Sequence, residues 1–220
     1  AVVVGAGPNG LVAAITLAQA GWDVEVWEAA DRPGGGTRSE ALIRPDVVHD
    51  VCSAVHPLAL ASPALRDLGL GAHGLRWVHP DVPLAHPLGG ERAAVLHRSV
   101  AETATGLGPD AAAYHRLLDP FVRAGRGLSD GLLAPLTVPL AHPLALARYG
   151  AIGLRSADGL ARARFDGDEA RALFAGLAAR SILSLTAPVT AGYGIMLGLL
   201  AHQEGWPLAE GGSQAIADAL

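Results

Sequence analysis

Lysine is absent from this 220-residue chain: all 16 basic residues are arginine, no two of them adjacent, against 21 acidic ones. A net charge of −5 with no basic stripe excludes a nucleic-acid-binding surface, which needs clustered cations. Cysteine is nearly absent too. The lone Cys52 excludes an internal disulfide, a zinc ribbon and a dithiol redox centre, and it is expected as a small, buried or half-buried thiol in a cytoplasmic, reducing setting. None of the nine histidines stands four residues from another, so no metal site is expected. No charged segment precedes an apolar run, so no signal peptide is read. The chain does open at Ala1 inside an apolar run and stop inside a helical pattern, so both ends read as truncated. Ile182 to Leu200 carries no charge, but Pro188, Gly192, Gly194 and Gly198 interrupt it. It is expected as a buried segment broken by turns rather than a membrane span.

With 50% apolar and 17% charged residues, the chain has the composition of a core-forming protein. Its first thirty residues carry the strongest local signal. Ala1 to Val4 is a short β-branched run, Leu11 to Ala20 a helical stretch with Pro8 suited to its first turn, and Gly21 suits the position after its last turn. Trp22 to Trp27 is a second β-rich run. Strand, helix and strand in this span make a βαβ unit.

Between the first strand and the helix stands G-x-G-x-x-G at Gly5, Gly7 and Gly10. With 28 glycines in the chain the bare pattern arises by chance about 0.4 times, and Gly69, Gly71 and Gly74 repeat it after a helical stretch and before a strand, the reverse of the working order. Context decides for the first copy. Gly5 permits the tight turn, Gly7 leaves room for a pyrophosphate, and Gly10 lets helix and strand approach. The helix N-terminus offers free N–H groups to phosphate. Glu28, eighteen residues beyond Gly10, ends the second strand, where a carboxylate accepts from two ribose hydroxyls and repels a 2′-phosphate. NADP is thereby the least suitable dinucleotide, and FAD and NAD remain.

The segment from Asp31 to Pro63 is rich in Gly, Pro, Ser and Asp and reads as a long functional connection. Three strands, around Arg76 to His79, Pro83 to His86 and Ala93 to His97, are expected as an antiparallel meander. The rest reads helical: Ser99 with Glu102 makes a capping-box pattern, Asp110 to Ala124 is periodic, and Asp168 to Leu183 opens on acidic residues. The hexapeptide HPLALA occurs twice, at His56 to Ala61 and His142 to Ala147, and is read as coincidence because the flanks differ.

After Glu28 the chain continues AADRPGGGTRS. This E-x5-GG-x2-R arrangement, joined to VVVGAGPNGLVAAITLAQAG, resembles the FAD-binding N-terminus of the flavin amine oxidase and phytoene desaturase superfamily. The run DVCSAVHPLALASPALRDLGL, Asp50 to Leu70, is most similar to the phytoene desaturase-like oxidoreductases, a set that includes the group called pyridine nucleotide-disulfide oxidoreductase domain-containing protein 2. GWPLAEGGSQAIADAL, Gly205 to Leu220, is similar to the segment in which that family returns to its flavin domain. The likeness covers the first seventy residues strongly and the remainder loosely.

The resemblance implies an α/β fold: a Rossmann-like FAD/NAD(P)-binding domain of the glutathione-reductase-type two-domain flavoproteins, incomplete here, with a mostly helical substrate domain. Residues 1–70 would form the FAD-binding part, 71–204 the substrate-domain part and 205–220 the return. It implies that Gly5, Gly7, Pro8, Asn9 and Gly10 face the pyrophosphate and that Glu28 and Ala29 lie at the adenosine ribose. Gly35, Gly36, Thr37 and Arg38 would line the pyrophosphate and ribityl chain, and Ser53, Val55 and His56 would lie near the reactive face of the flavin, with His56 the one candidate catalytic group. Nothing in the sequence activates Cys52. The activity implied is FAD-dependent hydride abstraction from an apolar, carotenoid-like or amine-bearing small molecule, with the flavin carrying the chemistry. The stretch from Leu132 to Leu154 would form a substrate-tunnel wall, a shallow membrane-contacting face or plain core. Two alternatives stay open: an NAD-dependent dehydrogenase, and a non-catalytic binding module like the GDP dissociation inhibitors.

Overall fold

In the computed structural model, which describes residues 1–135 and 142–220, the chain opens with strand β1 (Val2–Val4), helix α1 (Pro8–Gln19) and strand β2 (Glu25–Trp27). The two strands are parallel, with Val3 opposite Val26, as a helical crossover between neighbouring strands requires. Pro8 lies in the first turn of α1, and Gly21 adopts φ +85° just past its end. The second strand is shorter than its β-rich run because Trp22 to Val24 complete the turn out of the helix, where Trp22 N–H donates to the Leu17 carbonyl at 3.1 Å.

A 3-10 turn at Gly35–Thr37 leads into β3 (Ser39–Glu40), which pairs antiparallel with β4 (His49–Asp50). The ladder continues past these strands, since Val51 N–H donates to the Arg38 carbonyl and Ser53 N–H to the Gly36 carbonyl, each at 3.0 Å. Short helices α2 (Pro57–Ala61) and α3 (Pro63–Asp67) follow, then β5 (Trp77–Val78). The second glycine triplet, Gly69, Gly71 and Gly74, flanks and occupies a 3-10 turn at Leu70–His73.

Pro80 to Trp206 forms one compact unit, and Ala1 to His79 with Pro207 to Leu220 forms the other. The Pro80–Trp206 unit begins with a hairpin of β6 (Leu84–Gly89) and β7 (Arg92–Leu96). Among the described residues seven α-helices follow: α4 (Val100–Thr105), α5 (Ala111–Arg123), α6 (Arg126–Leu133), α7 (Pro143–Gly153), α8 (Ala157–Arg164), α9 (Asp168–Ala179) and α10 (Thr190–Gln203). Ser99 Oγ accepts from Glu102 N–H at 3.2 Å, the forward half of the expected capping box. The Glu102 carboxylate turns instead to His97 Nδ1, at 3.4 Å. The core of the Pro80–Trp206 unit includes Leu118, Phe121, Phe165, Leu173, Phe174, Ile195 and Leu199, all 1% exposed or less.

The segment 182–200 is not uniformly buried and broken: Ile182 is 94% exposed, whereas α10 runs unbroken through all three of its glycines. These glycines serve packing. A Cβ at Gly194 would come within 2.9 Å of the Phe174 ring, and one at Gly198 within 3.0 Å of Leu118 Cδ1. The expected three-stranded meander is a two-stranded hairpin, because β5 pairs elsewhere. The proline-interrupted stretch 132–154 falls partly on residues 136–141, outside the described residues.

The chain ends with β8 (Leu208–Ala209) and α11 (Gln214–Ala219). β8 is the antiparallel partner of β5, Trp77 opposite Ala209. Around this pair Leu70, Leu75, Ala209, Ile216 and Ala219 form a small core, with Trp77, Leu65 and Leu68 packed on its edge. No helix of the described residues is long and apolar enough to cross a membrane.

Candidate functional site

The glycine turn between β1 and α1 is built by close approach. Gly5 leaves the strand at φ +95° while its N–H donates to the Trp27 carbonyl at 2.7 Å, which carries the parallel ladder one residue past the strands. A Cβ on Gly10 would run into the Gly5 carbonyl oxygen, so only glycine lets the first turn of α1 lie this close to the strand end. Gly7 occupies the N-cap position with extended backbone, and no side chain caps the helix. Because the first amides of a helix lack intrahelical acceptors, those of Asn9 and Gly10 are presented as donors at the positive end of a twelve-residue helix.

Glu28 stands at the mouth of this turn. Its Oε2 accepts from Ala6 N–H at 2.6 Å and its Oε1 from Ala30 N–H at 2.9 Å. These two backbone donors, Ala30 first, hold its carboxyl below the usual carboxylate range. Each oxygen keeps a second acceptor direction, and the side chain is open to solvent. Ala29 beside it is likewise exposed.

The second glycine cluster lies directly against the first. Gly34 N–H donates to the Ala6 carbonyl at 2.8 Å, and a Cβ on Gly35 would fall 3.0 Å from Gly7 Cα. Thr37 is buried and its Oγ1 donates to the Gly34 carbonyl at 2.8 Å. Arg38 folds back so that Nε donates to the Gly35 carbonyl at 3.1 Å, and its guanidinium stands 3.8 Å from Glu40 Oε1. Gly5, Gly7, Pro8, Asn9, Gly10, Glu28, Gly35, Gly36, Thr37 and Arg38 thus meet in one strip, in which Asn9, Glu28, Gly35 and Gly36 are exposed, Thr37 is buried and the rest are half-buried.

Ser53 joins the strip through its hydrogen bond to Gly36, and Val55 follows half-buried. His56 is buried: its Nε2 is 2.7 Å from Ser213 Oγ and its ring centroid 6.0 Å from that of Trp77. Burial lowers its pKa below the ordinary histidine value, against an opposing pull from Asp50. Cys52, expected as buried or half-buried, is exposed, because it follows β4 at the surface end of the loop. Its Sγ would lie 3.9 Å from a Cβ on Gly36. Among the described residues no group of three or more His, Cys, Asp or Glu is arranged to hold a metal ion.

Sequence reasoning missed the polar node behind the strip. Asp50 Oδ1 accepts from Ser39 Oγ at 2.6 Å and from Ser213 N–H at 2.7 Å, and Ser39 Oγ accepts from Gln214 N–H at 3.0 Å. The start of α11 is therefore capped by two residues more than 160 positions away in sequence. The signal was the doublet Gly211 and Gly212, both at positive φ. A Cβ on Gly212 would press on Ser39 Oγ at 2.7 Å.

Residues 3–68 match the family model of the NAD(P)-binding Rossmann-like domain. Over 99% of its length the chain also shares the fold of wild-type putrescine oxidase bound to putrescine, with 22% identity and a TM-score of 0.62. A fatty acid isomerase from P. acnes, described as producing CLA, matches over the same share at 18% identity and a TM-score of 0.52. The chain spans about half the length of these structures, 47% and 48% of each.

Proposed function

We propose that this chain supplies the dinucleotide-binding part, and a portion of the helical substrate-handling part, of an FAD-dependent oxidoreductase of the flavin amine oxidase and phytoene desaturase superfamily, built on the two-domain plan of the glutathione-reductase-type flavoproteins. The observation that carries the reading is the contact between Gly7 and Gly35: two glycine turns, far apart in sequence, laid backbone to backbone beside an exposed carboxylate. A Rossmann unit needs only the first turn to seat a pyrophosphate. The second extends the seat beyond what the adenylate half occupies, which suits FAD better than NAD. The uncapped N-terminus of α1, with the Gly35 turn drawn up against Gly7 beside it, fits a diphosphate passing close to backbone.

In this reading Asn9 and Gly10 donate their amides to the diphosphate, and Glu28 accepts from the adenosine ribose hydroxyls while repelling a 2′-phosphate. Arg38 brings forked donors to the diphosphate or ring oxygens. Ser53 and Val55 flank the ring. When bound, the flavin would supply the two-electron chemistry, accepting hydride from the substrate. No side chain of this chain is assigned as an acid or base. The substrate is an apolar or amine-bearing small molecule, a class that includes carotenoid-like chains. The two structural neighbours, named for putrescine and for a fatty acid, support that range. Denaturing the purified protein in acid and examining the supernatant for flavin fluorescence tests the reading. Released FAD supports it. A colourless protein that takes up NAD returns the chain to the dehydrogenases, and one that takes up neither makes it a binding module.

A further inference from the structure

Behind the glycine strip lies a buried link whose proton positions follow from its partners. Ser213 is fully buried. Its Oγ is 2.6 Å from the Ser53 carbonyl oxygen and 2.7 Å from His56 Nε2. A carbonyl only accepts, so the single hydroxyl proton is committed to Ser53. His56 must then donate, and its proton sits on Nε2. The residue types are those of a hydrolytic triad, but the wiring is not. The histidine gives rather than takes, Asp50 holds the Ser213 amide rather than the imidazole, and the hydroxyl has no access to solvent.

We propose that Ser213 and His56 are a positioning pair for the dinucleotide seat, a role that rests on the flavin reading above. The connection runs through hydrogen bonds and one close contact. Ser213 holds the Ser53 carbonyl, Ser53 N–H holds the Gly36 carbonyl at 3.0 Å, Gly34 N–H holds the Ala6 carbonyl at 2.8 Å, and Gly35 lies against Gly7. His56 is anchored independently, by its own N–H donating to the Pro207 carbonyl at 2.9 Å. Through this chain, alongside the direct contact of Gln214 with Pro33 and Gly34, the segment 207–220 bears on the spacing of the two glycine turns. Removing the Ser213 hydroxyl strands a buried donor on His56 and a half-buried acceptor on Ser53 together. The loop 50–56 then relaxes, and with it the Gly34–Arg38 turn.

The test uses the purified protein, FAD as the probe, and four measurements: FAD affinity, visible circular dichroism of the bound flavin, thermal midpoint, and the 15N shifts of the His56 ring. Wild type is expected to bind FAD and to show the Nε2-protonated neutral ring near pH 8. S213A is expected to bind FAD about tenfold more weakly, with an altered flavin dichroism and a lost tautomer preference. H56Q keeps a donor near the Nε2 position and is expected to recover most of the affinity, whereas H56L behaves like S213A. If S213A does not fold, the contrast between H56Q and H56L decides. The proposal is overturned if wild type binds FAD and S213A binds it equally well with unchanged dichroism, or if H56Q and H56L lose affinity alike. A wild type that binds no FAD overturns the flavin reading itself. The ring shifts then still report whether the link exists.

Discussion

Gly10 lies so close beneath the carbonyl of Gly5 that no side chain fits between the first turn of α1 and the end of β1. The obstacle is backbone, which cannot rotate away as a side chain can, so the site does not relax around an added methyl. Gly10→Ala is therefore expected to push helix and strand apart and to destabilise the unit by about 1–3 kcal/mol, the usual cost of overpacking. Denaturant unfolding followed by circular dichroism checks this. An alanine variant as stable as wild type would mean that the turn is looser than described.

Tyr114 and His202 form a buried pair in the helical unit. His202 Nδ1 is 3.0 Å from the Arg98 carbonyl, which only accepts, so the ring proton sits on Nδ1 and Nε2 receives the Tyr114 hydroxyl at 2.8 Å. Burial pushes the Tyr114 phenol pKa far up, which keeps it a donor. Tyr114→Phe leaves Nε2 unpaired and is expected to cost about 1–3 kcal/mol, read from the urea midpoint. Unchanged stability would contradict the assignment of donor and acceptor.

Three buried or half-buried histidines, His56, His86 and His202, have their pKa values lowered, in each case first by burial. At His86, Arg180 adds to the effect. Above pH 6.5, the ordinary histidine value, these rings are neutral folded and unfolded. Below it the unfolded chain takes up protons that the folded chain resists, so stability falls as pH falls. The thermal midpoint is expected to drop between pH 7 and pH 5, with a shallower slope in His202→Gln. A midpoint flat or rising over that range would contradict the burial of these rings.

What the sequence could and could not reveal follows from the range of the interactions. The opening βαβ unit was legible because Gly5, Pro8, Gly10 and Gly21 act on their immediate neighbours. The HPLALA repeat is a second local case. His56 and His142 precede their helices with similar backbone angles, φ −130° and −140°, so the same proline starts a helix in two settings. Pairing was not legible where partners are distant. The strand at Trp77–Val78 was readable, but its partner at Leu208–Ala209 is about 130 residues away, which is why the expected meander lost a strand. Ser213 shows the same limit. Its place after two glycines marks it as a helix cap, yet its hydroxyl is drawn to Ser53 while Asp50 and Ser39 serve the amides. In α10 the glycines read as breaks because their packing partners, Phe174 and Leu118, lie on other helices.

Glu28 gives the most direct test of the account. Its carboxylate already bridges Ala6 and Ala30, and the reading assigns its remaining acceptor capacity to the ribose of a dinucleotide. Equilibrium titration of FAD into wild type and Glu28→Leu, with thermal midpoints measured alongside, separates binding from folding. The account predicts a loss of roughly ten- to hundredfold in affinity for a variant that remains folded. Equal affinity in the two proteins would contradict it.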